Sequence, residues 1–383
     1  MSIHIDGISD SAFSSVLDVF TQILEEPEQR GAALCVQIAG ETVLDLWGGV
    51  IDRHAEQLWQ RDTLINIFSS GKPVAAVVLL QLVAEGRLQL DTPLVEYWPE
   101  FARQGKQQVT LRHVLSHQAG LPAVLEPLAA QALYDWERMI AAVENTPPWW
   151  TPGSAHGYAP MTYGWLVGEL IRRVDGCEPG AAIAKRIAEP LQLELYLGLT
   201  ERELPRVGDV MRMKGDFADA ASVRLMQSMG KDPQGMAIKA FANPPAMMTS
   251  TNKLEWRQMQ QPAANAHSTA RGLAGFYTGL LQGKLLDSEM LRDMLQEQSV
   301  GMDLTLLTRT RFGLGCMLEQ EHELPASYAL GAQAFGHPGA GGTLGCADPE
   351  REVSVAFITN SLGGSVLMDP RVQKINTMLK KRL

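Results

Sequence analysis

The chain has 383 residues, 45% hydrophobic and 20% charged, the balance of a globular protein of two or three lobes, which excludes a disordered or collagen-like chain. Its 43 acidic residues outnumber 33 basic ones, and the net charge of −10 argues against a nucleic-acid binder, whose affinity comes from clustered Lys and Arg. Four scattered cysteines (Cys35, Cys177, Cys316, Cys346) form no CxxC pair and read as small core residues, with no zinc or redox site among them.

The first residues, MSIHIDGISDSAFSS, have no basic start and no long apolar stretch, so no secretory signal and a cytoplasmic protein are expected. Residues 11–25 predict an amphipathic helix with Phe13, Val16, Leu17, Phe20 and Leu24 on one face. Ala33 to Ile38 and Thr42 to Trp47 predict a hairpin turned at Ala39-Gly40-Glu41. A strand-like run, Leu64 to Phe68, then leads through Ser69-Ser70-Gly71-Lys72 into a helix from Pro73 to about Glu85. Proline fits there because the first turn of a helix has no internal partner for its N–H groups. This helix carries the most apolar run of the chain, but Gln81 interrupts it and Glu85 closes it, too early to span a bilayer.

From about residue 99 to 300 the pattern is helical, with predicted helices at 111–116, 127–143, 161–174, 179–188, 267–282 and 288–296. The segment 201–261 has weak periodicity and many methionines and is expected to be a long loop or lid. Strand signals return at 311–318, 326–335, 342–347 and 353–359, and 366–380 predicts a closing helix. The economical architecture is α+β: one antiparallel sheet built from both termini (1–98 and 300–383) and flanked by helices. A mainly helical domain (99–299) is inserted between its halves.

Ser-x-x-Lys is a chemical device because positions i and i+3 of a helix share a face and bring an amine beside a hydroxyl. The pattern occurs three times, at Ser69/Lys72, Ser228/Lys231 and Ser250/Lys253. The last two lie in loop-like surroundings and read as solvated side chains. Ser69 opens an apolar helix and is open to two readings, nucleophile or helix cap. Tyr158, delivered by the turn Trp150-Thr-Pro-Gly153, is either a base whose pKa a nearby ammonium lowers or an aromatic that packs the turn. The glycine-dense run Phe335 to Gly345 offers free N–H groups for an oxyanion, or is a flexible turn. His113 and His117 have metal-helix spacing but no third ligand, and read as a structural pair. There is no G-x-S-x-G elbow.

Taken in order, these pieces resemble the serine β-lactamase and penicillin-binding-protein superfamily, and more closely its class C β-lactamase-like esterases, the family VIII carboxylesterases. Leu111 to Pro122 is similar to that branch's "LLtHtSGLP" segment. Trp150 to Tyr158 with Tyr163 to Gly168 is similar to its tyrosine region, Asn265 to Arg271 to its "NGxxTAR" helix start, and His337 to Pro349 to its "HPGaGGslGfaDP" strand. The resemblance implies an acylated nucleophile at Ser69, Lys72 as its proton partner and Tyr158 as general base. It further implies an oxyanion hole from the backbone N–H groups of Ser69 and Ala340, with substrate contacts at His337 and Gly339. No metal or organic cofactor is implied.

Two positions depart from the β-lactamase pattern. Pro160 stands where Tyr-x-Asn has Asn, and His337-Pro338-Gly339 replaces Lys-Thr-Gly. Both fall on groups that would bind an amide or a carboxylate, so the expected activity is hydrolysis of a small ester with a short acyl chain. A β-lactamase, D-amino-acid peptidase or amide hydrolase, an acyltransferase, and an inactive homologue serving as a binding or scaffold protein are the competing readings.

Overall fold

The computed structural model describes residues 4–54, 56–213, 220–245, 249–320 and 327–383. Nine strands make one antiparallel sheet: β1 (Ile5–Ser9), β2 (Gly31–Ile38), β3 (Glu41–Gly49), β4 (Ser299–Met302), β5 (Arg309–Phe312), β6 (Met317–Leu318), β7 (Phe335–Pro338), β8 (Leu344–Asp348) and β9 (Val353–Thr359). Their spatial order is β1-β3-β2-β9-β8-β7-β6-β5-β4. The junction between the two halves of the chain is the β2–β9 pair, running from Ala32↔Thr359 to Ile38↔Val353.

Both faces of the central strands are buried, and period 2 sorts their side chains. Leu34, Val36, Val355 and Phe357 face a cluster with Val16, Phe20, Ile23, Val372 and Ile375, which belong to helices α1 (Ser14–Glu25) and α5 (Pro370–Lys380). Ala33, Cys35, Ala356 and Ile358 face the opposite cluster, with Leu273, Phe276, Tyr277 and Leu280 of helix α4 (Ala270–Leu281). That cluster continues through helix α2 (Lys72–Ala84) to helix α3 (Thr162–Asp175). Helix α2 is apolar all round and buries ten of its residues, so it is a rigid central post. Among the described residues no helix is long and apolar enough to cross a membrane.

The sheet departs from the sequence reading at its edges. β1 and β4 were not expected, because both are edge strands with mostly exposed residues and show no apolar alternation. The run 311–318 is broken between β5 and β6, where Gly315 takes a φ of 78°. The strand expected at 326–335 begins only at Phe335; residues 327–334 are turns and irregular chain, and 326 lies outside the described residues. Of Leu64–Phe68 only Ile65–Asn66 forms a strand, paired with His267 and Ser268, and Leu64 makes a single bridge to Val207. Among its described residues the expected loop 201–261 holds the α-helices Ala220–Lys231, Met236–Ala242 and Leu254–Gln258. The first of these buries only Ala221, Ser222 and Leu225, so a single large apolar residue carries its buried face and the helical signal is dilute.

Candidate active site

Ser69 sits in a single 3-10 turn, Phe68–Gly71, that runs directly into α2. The turn is entered through Phe68 at a φ of 48°, a left-handed conformation that a bulky residue adopts only when its surroundings over-determine it. The strand-to-helix junction therefore presents Ser69 half-buried at the N-terminal end of a helix that cannot move. One helical step places Lys72 Nζ 3.1 Å from Ser69 Oγ.

Lys72 is 0% exposed and has no carboxylate partner among the described residues; Nζ donates to the carbonyls of Pro160 (2.9 Å) and Ala263 (3.0 Å). Burial pushes its pKa well below the ordinary lysine range. A neutral amine has two N–H groups and one lone pair. The two carbonyls take the N–H groups, and the lone pair is left for the Ser69 hydroxyl proton. The rings of Tyr158 and Tyr163 lie 4.8 and 5.7 Å from Nζ.

Tyr158 Oη donates to Ser69 Oγ at 2.8 Å from the opposite side. Its segment, between the Pro-Gly turn and α3, has no regular secondary structure, so its backbone groups need side-chain partners. Two residues supply them. His117, itself at a φ of 59°, accepts from Gly157 N through its carbonyl (3.1 Å) and from Ala159 N through Nδ1 (3.2 Å). Both oxygens of Asp303 accept from Tyr158 N, at 3.1 and 3.0 Å. Burial raises the Tyr158 pKa, and the Asp303 charge adds to the rise. The lowering expected for a tyrosine base is therefore not found: in a site this dry, burial outweighs the nearby amine, and the neutral pair of amine and phenol is favoured.

The glycine-rich run closes the other side. Gly339 packs where a Cβ would lie 1.9 Å from Thr343 Oγ1 and 2.5 Å from the Ile67 carbonyl, so the loop seats directly against the turn that carries Ser69. Thr343 Oγ1 fixes that seat by donating to the Ile67 carbonyl (3.0 Å). Ala340 is exposed at the tip, and no hydrogen bond among the described residues takes its N–H or that of Ser69. Arg371 holds the loop from behind. Its guanidinium pairs with both oxygens of buried Asp369 and donates to the carbonyls of Gly341 (2.7 Å) and Ser361 (3.0 Å). Arg371→Ala would leave the Asp369 carboxylate buried without its counter-ion. We expect a loss of about 3–5 kcal/mol, read from the midpoint of urea unfolding; an unchanged midpoint would remove Arg371 from this role.

His337 is buried 5.7 Å, ring centre to ring centre, from Tyr158. Nδ1 lies 2.7 Å from the carbonyl of Pro338, while Nε2 is buried without a partner among the described residues. Burial and the Lys72 amine push its pKa down to about 3, so the ring is neutral at any working pH.

The other expectations separate in space. Ser228 lies in the helix Ala220–Lys231, and Ser250 is fully buried with no partner for its hydroxyl among the described residues while Lys253 is exposed; neither is the solvated loop serine expected. His113 is drawn into a capping box with Thr110, away from His117, and among the described residues no three metal-ligating side chains come together. The methionines of 201–261 do not form one surface. Met211 is in a two-residue strand, Met213 touches Arg371, and Met229 and Met259 pack on different clusters; Met247 and Met248 lie outside the described residues. Sequence reasoning missed Asp303 and the carbonyls of Pro160 and Ala263. Asp303 had a signal, as the single charged residue in the run Ser299–Thr308.

The family model described as Beta-lactamase matches residues 16–375. The "Esterase/beta-lactamase LipL" of Mycobacterium tuberculosis is 30% identical over 380 residues, covering 94% of this chain and 84% of that protein. The crystal structure of a penicillin-binding protein homologue from Caulobacter crescentus superposes with a TM-score of 0.89 at 35% identity, over 99% of this chain and 100% of the other. That of a family VIII carboxylesterase gives a TM-score of 0.89 at 30% identity, over the whole of both chains.

Proposed function

We propose that this chain, which belongs to the Beta-lactamase family, is a serine esterase that hydrolyses short-chain carboxylic esters through an acyl-Ser69 intermediate. The observation that carries the reading is Ser69 Oγ held between Lys72 Nζ (3.1 Å) and Tyr158 Oη (2.8 Å). In acylation Ser69 Oγ attacks the ester carbonyl while its proton passes to the Lys72 lone pair. The carbonyl oxygen becomes an oxyanion facing the N–H groups of Ser69 and Ala340. Tyr158, as a phenol, hands its proton to the departing alkoxide and is reprotonated from the Lys72 ammonium. Water then enters, gives a proton to the same pair, attacks the acyl carbon and releases the acid, restoring the Ser69 hydroxyl.

His337 bears on the substrate class. The β-lactamase pattern has a lysine there, a cation for the substrate carboxylate, and this chain has a neutral imidazole. A carboxylate leaving water for a site without a counter-charge is strongly disfavoured, whereas an ester needs only orientation. Gly339, pressed against the Ser69 turn, belongs to the same wall as His337 and contributes its shape. We expect kcat/KM for p-nitrophenyl butyrate to exceed that for a chromogenic cephalosporin by at least about 10²-fold, and His337→Lys to narrow the gap. Equal efficiencies in the unmodified enzyme would sink this reading. A β-lactamase side activity is the second reading, favoured by the double name of the mycobacterial relative.

Two further parts of the reading concern organisation and place. The division into a sheet domain (1–98 with 300–383) and a helical insert (99–299) is supported by a sheet whose strands all come from residues 5–49 and 299–359. Helix α4, within the insert by sequence, packs on that sheet. A cytoplasmic location is supported by four cysteines that are all free.

A further inference from the structure

We propose that Asp303 is the positioning residue of this site: its carboxylate holds the peptide N–H of Tyr158 and thereby the hydroxyl that faces Ser69. The inference rests on the reading of Tyr158 as a proton carrier and deepens it.

Asp303 is 0% exposed, in the connection between edge strand β4 and its neighbour β5. Its two oxygens receive Tyr158 N (3.1 and 3.0 Å), Thr305 N (2.9 Å), Leu306 N (2.8 Å) and Thr310 Oγ1 (3.2 Å). Every donor is neutral. A buried carboxylate without a cation is a costly way to tie a turn, and a serine or asparagine would serve a turn more cheaply. What the carboxylate adds is reach, because it accepts within its own hairpin and across to the tyrosine segment at once. Tyr158 has no helix or strand to fix it, so its main-chain anchors decide where its hydroxyl stands. His117 holds the residues on either side, and Asp303 holds Tyr158 itself.

The surroundings of Asp303 are sparsely charged. On the tyrosine segment the ionisable groups are Tyr158 and His156, whose Nε2 lies 2.9 Å from Thr310 Oγ1. On its own hairpin Arg309 is exposed and Arg311 pairs with Glu297 at 2.7 Å. Beyond Tyr158 lies Lys72, 4.8 Å from the phenol ring. Burial raises the Asp303 pKa to about 6, against the pull of its donors. Protonation turns one acceptor site into a donor and releases an N–H, so Tyr158 is held fully only above that pH. Ionised Asp303 also keeps Tyr158 a phenol, by raising its pKa.

The test measures kcat and KM for p-nitrophenyl butyrate from pH 5 to 9 in Asp303→Asn, Tyr158→Phe and the double variant, with thermal unfolding of each. Asp303→Asn should lower kcat at least about 10-fold with KM within about twofold, and should cost less than about twofold more in the Tyr158→Phe background. A kcat within twofold of the parent, or the same loss in both backgrounds, overturns the proposal and leaves the serine mechanism standing. Near-parental rates in Tyr158→Phe overturn both. Should Asp303→Asn not fold, Thr310→Val removes one donor from the carboxylate and should move the acid limb of kcat to higher pH; an unmoved limb overturns the proposal.

Discussion

Replacement of Ser69 by alanine is expected to lower kcat at least about 10³-fold while the protein stays folded, as removals of a nucleophile do. Among the described residues the side chain of Ser69 bonds Lys72 and Tyr158, and both are held without it, Lys72 by the carbonyls of Pro160 and Ala263 and the Tyr158 N–H by Asp303. Helix α2 behind it is fixed by Val77, Val78, Leu79 and Leu80, all fully buried, and none of these contacts changes. A fluorophosphonate should add its mass to the peptide that contains Ser69 and to no other. Ser228 and Ser250 share the Ser-x-x-Lys spacing but not the geometry. Ser228 and Lys231 do lie in one helix, Ala220–Lys231, and Ser250 precedes the helix Leu254–Gln258 with Lys253 as its cap, but among the described residues neither serine hydroxyl is bonded to a lysine amine and a tyrosine hydroxyl as Ser69 Oγ is. An adduct on either of those serines would refute the assignment.

The contrast shows where the sequence was legible. Ser69 and Lys72 are neighbours on the chain, so local periodicity is enough to bring them together. The existence of β2 and β9 as strands was legible for the same reason, since a short apolar run reports its own surroundings. The third member of the triad was reached only through the order of several motifs, because Tyr158 is 89 residues from Ser69 and lies in irregular chain. The groups that orient the Lys72 amine were not legible. Pro160 and Ala263 act through carbonyls, which every residue carries, and the spacing of 191 residues between Lys72 and Ala263 exists only in the folded chain. The direction of the Tyr158 shift failed for a related reason. Composition shows a lysine and a tyrosine, but how dry their surroundings are is a property of the packed site.

Lys72 and Tyr158 should behave as one unit, and the pH dependence should say which of them is the base. Lys72→Met keeps the apolar stem and removes the proton acceptor. It leaves two carbonyls without their donor, at about 1–3 kcal/mol each, which a domain of this size tolerates in part. We expect kcat to fall at least about 10³-fold in Lys72→Met and about 10²-fold in Tyr158→Phe, with the double variant close to Lys72→Met alone, because a relay broken once is broken. The sign for the parent enzyme follows from the two shifts. Lys72 accepts a proton only as the free amine, and burial lowers its pKa, so its contribution is lost as pH falls through that lowered value and is present above it. Tyr158 donates only as the phenol, and burial raises its pKa, so no loss is expected as pH passes the ordinary tyrosine value of about 10. A tyrosinate base would give the reverse on the alkaline side, with the rate still climbing as the phenol ionises. A flat alkaline plateau in kcat/KM assigns proton abstraction to Lys72 and leaves Tyr158 as the carrier between the amine and the departing alkoxide; a rate that climbs into that range returns the role of base to Tyr158.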